Sequence, residues 1–252
     1  MINPIALTGK HILVTGASSG IGAEIAIHIT RLGGKVSLFA RNEGKLQKVV
    51  STLEDQRGKY YRIDFQNTNE IAPVIKQTYN EQGAFDGVVY CAGIADAIPL
   101  KMTKPDKMLQ FANVNFLSFV EFVRCTTLKQ YRAETMSIVG ISSTASYRGD
   151  KGKVPYSSTK SAMNGAMRAM AHELASSSVR VNNVLPGWTR TRMYDNFATT
   201  LGTSNIDKEF DMLQYMGIIE TVDVANAVAF LLSDASRYIT GTELRVDGGA
   251  LS

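Results

Sequence analysis

The sequence predicts an α/β fold, a doubly wound parallel sheet of about seven strands with helices on both faces. Three observations predict it. Short, β-branched apolar runs alternate with amphipathic helical stretches along the whole chain. A glycine-rich turn joins the first run to the first helical stretch, and later runs end in small or polar residues. No repeat or low-complexity linker interrupts this alternation, so we expect one domain over residues 1–252.

The composition is that of an ordinary globular protein. The chain has 252 residues, of which 44% are hydrophobic and 20% charged, and this length can bury a sizeable core. Only Cys91 and Cys125 occur, which predicts no disulfide framework and a cytoplasmic location. The N-terminus lacks a signal-peptide pattern, and no apolar run reaches the length of a membrane span. The net charge of +4 comes from dispersed Lys and Arg, so we expect neither a nucleic acid nor a membrane as partner.

A strand pattern over residues 11–15 runs directly into the glycine-rich turn. Gly16 lets the chain turn sharply, Gly20 lets a ligand approach the backbone, and Gly22 lets the next helix pack closely on the strand. That helix, to about residue 32, directs free N–H groups and its positive dipole end at the turn, which suits a pyrophosphate. The predicted cofactor-binding residues here are Gly16, Ser18, Ser19, Gly20, Ile21 and Gly22. The alternative is a turn capped by the serine hydroxyls, with no ligand.

The second strand, over residues 35–40, ends where a dinucleotide fold reads the adenosine ribose. Ala40 offers no acceptor for a ribose 2′-hydroxyl, whereas the Arg41 guanidinium suits a 2′-phosphate. We therefore predict NADP(H) rather than NAD(H), with a solvated loop arginine as the alternative.

The middle of the chain repeats the alternation. The pattern predicts helices over residues 43–56, 69–82 and 104–132 and strands over residues 60–63, 85–91 and 137–141. Asp64, the pair Ala92 and Gly93, and Ser143 follow strands, and ligands gather at the carboxyl ends of parallel strands. Asn113 and Asn115 lie inside the long helix, where Asn is a middling helix former that can disturb the hydrogen-bond ladder.

Tyr156 and Lys160 stand four residues apart on a helix that starts near Pro155. Residues at this spacing share a helix face, so the ammonium can reach the phenol or the space beside it. A nearby cation favours the phenolate, and a general acid or base works best with a pKa near the working pH. The pair is therefore a candidate for proton transfer, and the alternative is a solvated helix face.

The last third of the chain has a strand over residues 179–185, a helix over 222–232 and a strand over 243–246. Between the first two lies a long connection, residues 188–217, rich in apolar and aromatic residues such as Met193, Tyr194, Phe197 and Met216. Segments of this kind at a ligand edge are often lids, so we expect a substrate lid here. A packing helix is the alternative.

Taken in order, these motifs resemble those of the short-chain dehydrogenase/reductase family over essentially the whole chain. The turn from Thr15 to Gly22 has the family pattern Thr-Gly-x3-Gly-x-Gly. The resemblance implies a Rossmann fold and a catalytic set of Asn115, Ser143, Tyr156 and Lys160, with Asn113 as the runner-up for Asn115. It further implies cofactor contacts at Asp64, Ala92, Gly93, Tyr156, Lys160, Pro186, Gly187, Thr189 and Thr191. Cys91 departs from the family, which has Asn there. The matched set includes no metal ligand.

The resemblance also implies an activity. Hydride moves between nicotinamide and a carbonyl or secondary alcohol while Tyr156 exchanges the proton on oxygen, Ser143 orients that oxygen, and Lys160 holds the ribose and stabilises phenolate. Asn115 positions a water. The chain resembles 3-oxoacyl-acyl-carrier-protein reductases in length and pattern, which implies a small-molecule substrate, free or carrier-linked, and a homotetramer or dimer.

Three function classes stay open at this stage. They are a reductase of 3-oxoacyl thioesters or apolar ketones, a sugar, polyol or hydroxysteroid-type dehydrogenase, and a non-catalytic NADP-binding regulator. The apolar residues of the expected lid favour the first. Arg148, Lys151 and Lys153 stand near the expected entrance, where they suit an anionic carrier or simply solvent.

Overall fold

The computed structural model describes residues 3–191 and 214–252. Within these ranges the elements follow in the order β1 (His11–Thr15), α1 (Gly20–Arg31), β2 (Lys35–Ala40), α2 (Glu43–Val50), β3 (Gly58–Arg62), α3 (Ile71–Gln82), β4 (Phe85–Tyr90), α4 (Pro105–Ala112), α5 (Ser118–Thr126), β5 (Arg132–Ile141), α6 (Val154–Leu174), β6 (Val179–Pro186), α7 (Thr221–Leu232) and β7 (Glu243–Val246). None of the helices in these ranges is both long and apolar enough to cross a membrane.

The strands of the described ranges form one sheet in the order β3-β2-β1-β4-β5-β6-β7. Every neighbouring pair is parallel, from the pairing of β1 with β2 to that of β6 with β7. The strand order reverses between β1 and β4, and ligands bind at such a switch point, beyond the carboxyl ends of the strands. The predicted fold class is confirmed.

Side chains of alternate residues along each central strand point to opposite faces of the sheet and pack into two cores, one on either face. Leu13, Phe39 and Ile138 belong to the core beneath α3, α5 and α6. Their neighbours Leu38 and Val139 belong to the core beneath α1 and α7. Because both faces are covered, the strands read as continuous apolar runs, and this is the pattern from which the parallel sheet was predicted.

The predicted helix over residues 104–132 differs from the structure. Helix α4 ends at Ala112, a wider π-helical turn spans Asn113–Leu117, and α5 stops at Thr126. The Thr126 hydroxyl donates to the Phe122 carbonyl, 2.8 Å away, and so engages the backbone of the last turn. Strand β5 then begins at Arg132, so the helix prediction is wrong beyond α5.

The predicted helix over residues 43–56 is also shorter in the structure, where α2 ends at Val50. Five and six residues after Val50, Asp55 and Gln56 adopt positive φ angles of 50° and 53°, which lie outside the right-handed α-helical region.

His11 opens β1 and is buried at the amino-terminal edge of the sheet. Its Nδ1 lies 3.1 Å from the carbonyl oxygen of Ala84, and its Nε2 lies 2.9 Å from the Ser37 hydroxyl. A carbonyl only accepts, so Nδ1 carries the proton and Nε2 accepts from Ser37. Burial, with a smaller contribution from the Lys35 charge, lowers the pKa of His11 to about 4.

We predict that the free energy of unfolding falls by about 3 kcal/mol between pH 6.5 and pH 4, because the unfolded chain binds a proton there that folded His11 does not. His11→Gln should flatten this part of the profile, whereas replacing the exposed His172 by Gln should leave it unchanged. Urea unfolding at a series of pH values measures both. An equally steep fall in the His11 variant would contradict the assignment.

Candidate active site

The glycine-rich turn lies between β1 and α1 and can approach a ligand closely. Gly16 has φ 65°, and a Cβ there would lie 2.8 Å from both the Ala92 nitrogen and the Cys91 carbonyl oxygen. A Cβ on Gly22 would lie 2.5 Å from the Gly16 carbonyl oxygen, so only glycine lets α1 start this close to β1. Ser19 occupies the position before α1, yet its hydroxyl does not cap the helix. The turn thus presents backbone groups and a helix N-terminus, which suits a pyrophosphate.

A cleft of about 710 Å³ runs along the carboxyl ends of the strands. The residues predicted to contact a cofactor all line it, namely Gly16, Ser18, Ser19, Gly20, Ile21, Gly22, Arg41, Asp64, Ala92, Gly93, Tyr156, Lys160, Pro186, Gly187, Thr189 and Thr191. One end of the cleft lies at the turn and at Arg41, and the other lies at Tyr156. An elongated ligand such as a dinucleotide therefore fits between the predicted recognition and reaction sites.

Two cationic side chains flank the end of the cleft that lies at the glycine-rich turn. Arg41 and Lys45 are both exposed and both line it. The Asn42 side chain, in turn, accepts a hydrogen bond of 2.9 Å from the Lys45 backbone and caps α2. The sequence analysis missed Lys45, although its place in the first turn after Arg41 was a usable signal.

The end of β1 is fixed to the end of β4 through one hydroxyl. Thr15 is fully buried, and its Oγ1 accepts hydrogen bonds of 3.0 Å from the backbone nitrogens of Cys91 and Ala92. The backbone approach at Ala92 and Gly93 therefore does not depend on an Asn at position 91. Burial raises the pKa of the Cys91 thiol to about 11, against the influence of the Lys160 charge. Cys91 is thus a neutral thiol in the cleft wall.

Ser143 and Tyr156 meet at the far end of the cleft. Ser143 follows β5, and its Oγ accepts from the Ala145 nitrogen at 3.1 Å, which starts a tight turn. Burial raises the pKa of Tyr156, whereas a hydrogen bond with Ser143 lowers it. We had expected Lys160 to lower this pKa, but in the structure burial is the largest influence.

Lys160 lies one helical turn after Tyr156 on α6 and is 4% exposed. Its Nζ donates to the carbonyl oxygen of Ile141 at 2.6 Å and lies 5.8 Å from the centroid of the Tyr156 ring. Burial lowers the pKa of Lys160 to about 8. The ammonium is therefore directed at the end of β5, beside the phenol ring.

Asn115 lies in the π-helical turn, fully buried, and clamps the chain after β4. Its Oδ1 accepts from the Ile94 nitrogen at 2.8 Å, and its Nδ2 donates to the Ile94 oxygen at 3.0 Å and to Thr159 Oγ1 at 3.1 Å. Asn115 does not line the cleft, unlike the other three predicted catalytic residues. It holds Ile94, which does line it, against the helix that carries Tyr156.

Four charged side chains contribute to the described part of the cleft wall, alongside apolar residues such as Ile94 and Ala97. Asp96, Arg148, Asp150 and Lys153 line the cleft, and Arg148 pairs with Asp150 at 3.3 Å. The Ile98 nitrogen donates to the Gly152 oxygen at 2.8 Å, so the two loops of this wall are joined. Of the basic residues expected near the entrance, Arg148 and Lys153 are in the wall and Lys151 is not.

Most of the expected lid, residues 192–213 with Met193, Tyr194 and Phe197, lies outside the described residues. Its two flanks meet, because the buried Gln214 side chain accepts from the Trp188 nitrogen at 2.8 Å and donates to the Trp188 oxygen at 3.1 Å. Tyr215 and Met216, which follow, are 75% and 87% exposed.

Comparison with known proteins agrees with this geometry. A family model described as Enoyl-(Acyl carrier protein) reductase matches residues 16–250. The 3-oxoacyl-[acyl-carrier-protein] reductase FabG of Rickettsia prowazekii is 35% identical over 254 residues, which cover 98% of this chain and 99% of that protein.

Two solved structures resemble this chain in both fold and sequence. A dehydrogenase/reductase from Sinorhizobium meliloti 1021 has a TM-score of 0.91 at 30% identity and covers 99% of this chain and 98% of its own. A short-chain type dehydrogenase/reductase from Mycobacterium ulcerans has a TM-score of 0.90 at 30% identity, with 97% and 90% covered. The chain therefore belongs to the short-chain dehydrogenase/reductase family, whose members are nicotinamide-dependent oxidoreductases.

Proposed function

We propose that the protein is an NADP(H)-dependent reductase of carbonyl compounds. One observation carries this proposal: Ser143, Tyr156 and Lys160 converge at one end of a cleft whose other end has the glycine-rich turn and two cations. A non-catalytic regulator has no need for the three reactive side chains together. The relatives that reduce 3-oxoacyl groups on a carrier protein support the same activity.

The preference for NADP(H) is argued from the end of the cleft at the glycine-rich turn and Arg41, where the adenosine part of the cofactor would bind. Gly16 and Gly22 leave room that a Cβ would fill, so the turn fits a pyrophosphate. Arg41 and Lys45 supply two exposed cations, and Ala40 supplies no carboxylate, so a ribose 2′-phosphate is favoured over a free 2′-hydroxyl. When bound, the nicotinamide supplies the hydride.

The side chains at the reaction end supply the proton. Burial raises the Tyr156 pKa, so the phenol stays protonated at neutral pH and is ready to donate to a carbonyl oxygen. Ser143 hydrogen-bonds that oxygen and holds it in place. As Tyr156 loses its proton, the Lys160 ammonium stabilises the phenolate. Asn115, through Ile94 and Thr159, keeps the surrounding loop in place.

Two substrate classes are supported by different observations. Similarity to a 3-oxoacyl-[acyl-carrier-protein] reductase supports a 3-oxoacyl thioester or apolar ketone, with a carrier as partner. The charged wall of Asp96, Arg148, Asp150 and Lys153 favours the second candidate, a hydroxylated carbonyl compound such as a keto-sugar, because charged groups bind hydroxyls strongly. We propose the first as the main function.

We also propose a homotetramer. The helices around Asn115 carry exposed apolar side chains, with Leu109 59% and Leu117 43% exposed. Exposed apolar side chains on these helices would be covered in an interface between copies, and closed symmetric assemblies are the norm for oligomers.

The function is tested by NADPH oxidation with 3-oxoacyl thioesters, simple ketones and keto-sugars, and we expect the highest kcat/KM with the thioesters. Efficient turnover confined to keto-sugars would select the second candidate. NADPH binding with no turnover of any class would contradict the enzymatic proposal.

Replacing Tyr156 by Phe removes only the proton-donating oxygen. We expect kcat to fall by about 10²- to 10⁴-fold, with the Kd of NADPH within about twofold. Tyr238→Phe, at a side chain 90% exposed, is the matched control and should keep full activity. A Tyr156 variant whose kcat stays within about tenfold would show that another group donates the proton.

Ala40→Asp should reverse the cofactor preference, because a carboxylate accepts from the ribose diol and repels a 2′-phosphate. Arg41→Ala should weaken NADPH binding by about tenfold or more and leave NADH binding nearly unchanged, since one charge-assisted hydrogen bond is worth about 1.5–3 kcal/mol. Arg31→Ala, at an exposed cation outside the cleft lining, is the control. Calorimetric Kd values check these effects, and tighter NADH binding by the unmodified protein would refute the assignment.

A further inference from the structure

Helix α6 carries a second polar stripe that the proposed mechanism does not use. Ser161, Asn164 and Arg168 follow each other at three- and four-residue spacing and so share one face. All three bind groups outside the helix. Ser161 Oγ donates to the Ser146 carbonyl at 2.7 Å, and Arg168 pairs with Glu243 on β7. This face therefore meets both the turn after Ser143 and the last strand.

Glu243 is the carboxylate on which these contacts converge. Its side chain is only 12% exposed although it lies on the outermost strand. Besides pairing with Arg168, it accepts from the Tyr147 hydroxyl at 2.6 Å and from Asn164 Nδ2 at 3.1 Å. Tyr147 belongs to the turn that begins at Ser143. Glu243 thus bonds directly to that turn and to α6.

The amide of Asn164 connects Glu243 to Ser143 through a chain of hydrogen bonds. Asn164 is 3% exposed, and every polar atom of its side chain is bonded: Oδ1 accepts from Asn183 Nδ2 at 2.9 Å, and Nδ2 donates to Glu243 and, at 3.0 Å, to Ser146 Oγ. Ser146 Oγ in turn donates to the Ser143 carbonyl oxygen at 2.6 Å.

The carboxylate determines the direction of this chain of hydrogen bonds. A carboxylate only accepts, so Glu243 fixes the NH₂ end of the Asn164 amide toward itself and toward Ser146. The Ser146 hydroxyl accepts from that NH₂ group and is left with its proton for the Ser143 carbonyl. Without an acceptor at 243, the buried amide loses one of the three partners that orient it, and the only one that is charged.

We propose that Glu243 is a positioning residue that holds Ser143 against Tyr156 through Asn164, Ser146 and Tyr147. The inference rests on the proposed function for its kinetic consequences, but the network itself does not. Glu243 is not among the residues that line the cleft, so it acts through its contacts with the turn that carries Ser143 and with α6. Ser143, Tyr156 and Lys160 then depend on the edge strand for their alignment.

The test is a double-mutant cycle between positions 243 and 143. We expect Glu243→Ala to lower kcat by about 10- to 100-fold, as displacements near 1 Å do, with the KM for NADPH within about twofold. In the Ser143→Ala background, Glu243→Ala should lower kcat by less than a further factor of about two. The side chain that Glu243 is proposed to position is then already absent. The kcat of Glu243→Gln should lie between those of the unmodified protein and Glu243→Ala. Its amide oxygen still accepts, but its NH₂ group donates and so competes with the original arrangement. Glu121→Ala, which breaks an ion pair of similar kind on α5, is the control and should leave kcat unchanged.

The pH profile separates positioning from a general loss of stability. Among the residues that the structure describes, Ser143 and Cys91 influence the pKa of Tyr156 and Lys160 lies beside its ring, and the hydrogen bond with Ser143 lowers that pKa. If Ser143 moves away, the pKa of Tyr156 rises, so the limb of the kcat profile that reports it should shift to higher pH, as in Ser143→Ala. Additive losses in the cycle, or an unshifted profile in Glu243→Ala, would overturn the proposal.

Two further measurements examine the same hydrogen-bond network. If Glu243→Ala does not fold, Ser146→Ala removes a single oxygen from the same chain of bonds, and the same alkaline shift is required of it. Amide hydrogen exchange over residues 143–148, measured without substrate, should be faster in Glu243→Gln than in the unmodified protein. Unchanged exchange would refute positioning by Glu243, whereas the absence of turnover in the unmodified protein would refute only the proposed function.

Discussion

The hydrogen bond from the Lys160 ammonium to the Ile141 carbonyl oxygen, 2.6 Å long, holds together the two elements on which the candidate active site is built. It joins α6, which carries Tyr156 one turn earlier, to the end of β5, two residues before Ser143. A buried ammonium is costly unless it is hydrogen-bonded, so this carbonyl is needed to keep Lys160 in place. The bond that stabilises the charge therefore also ties the helix that carries Tyr156 to the strand that leads to Ser143.

The other strand ends are connected to the same helix. Thr159, next to Lys160, accepts a hydrogen bond from Asn115, and Asn115 holds both backbone groups of Ile94 after β4. The π-helical turn is what brings Asn115 to this position, because the wider turn interrupts the helix between α4 and α5. Features of this kind often occur at functional sites. Helix α6 thus fixes the loops after β4 and β5 relative to each other before any ligand binds.

The parts of the fold and site that the sequence predicts are those that depend on local chain geometry. The glycine-rich turn, the alternation of strand and helix, and the spacing of Tyr156 and Lys160 are local, and the lining of the cleft follows from the parallel sheet. The end of the long helix at Thr126 and the rise in the Tyr156 pKa depend on packing that no short window contains. Asn164 and Glu243 are 79 residues apart and meet only after β7 pairs with β6. The roles of the catalytic set and the lid stay predictions.

The predicted catalytic residues and the charged residues of the cleft wall lie in different environments. Lys160 and Asn115 are buried and bonded to backbone or to neighbouring helices, so changes at the entrance leave them in place. Arg148 and Asp150 are about one-third exposed and pair across a loop that the Ile98–Gly152 bond anchors. Ion pairs with this exposure contribute little to stability, so substitutions here change the charge of the entrance at small cost to the fold. If the predicted roles hold, substitutions in the charged part of the cleft wall should change which substrates enter and leave the buried proton-transfer residues in place.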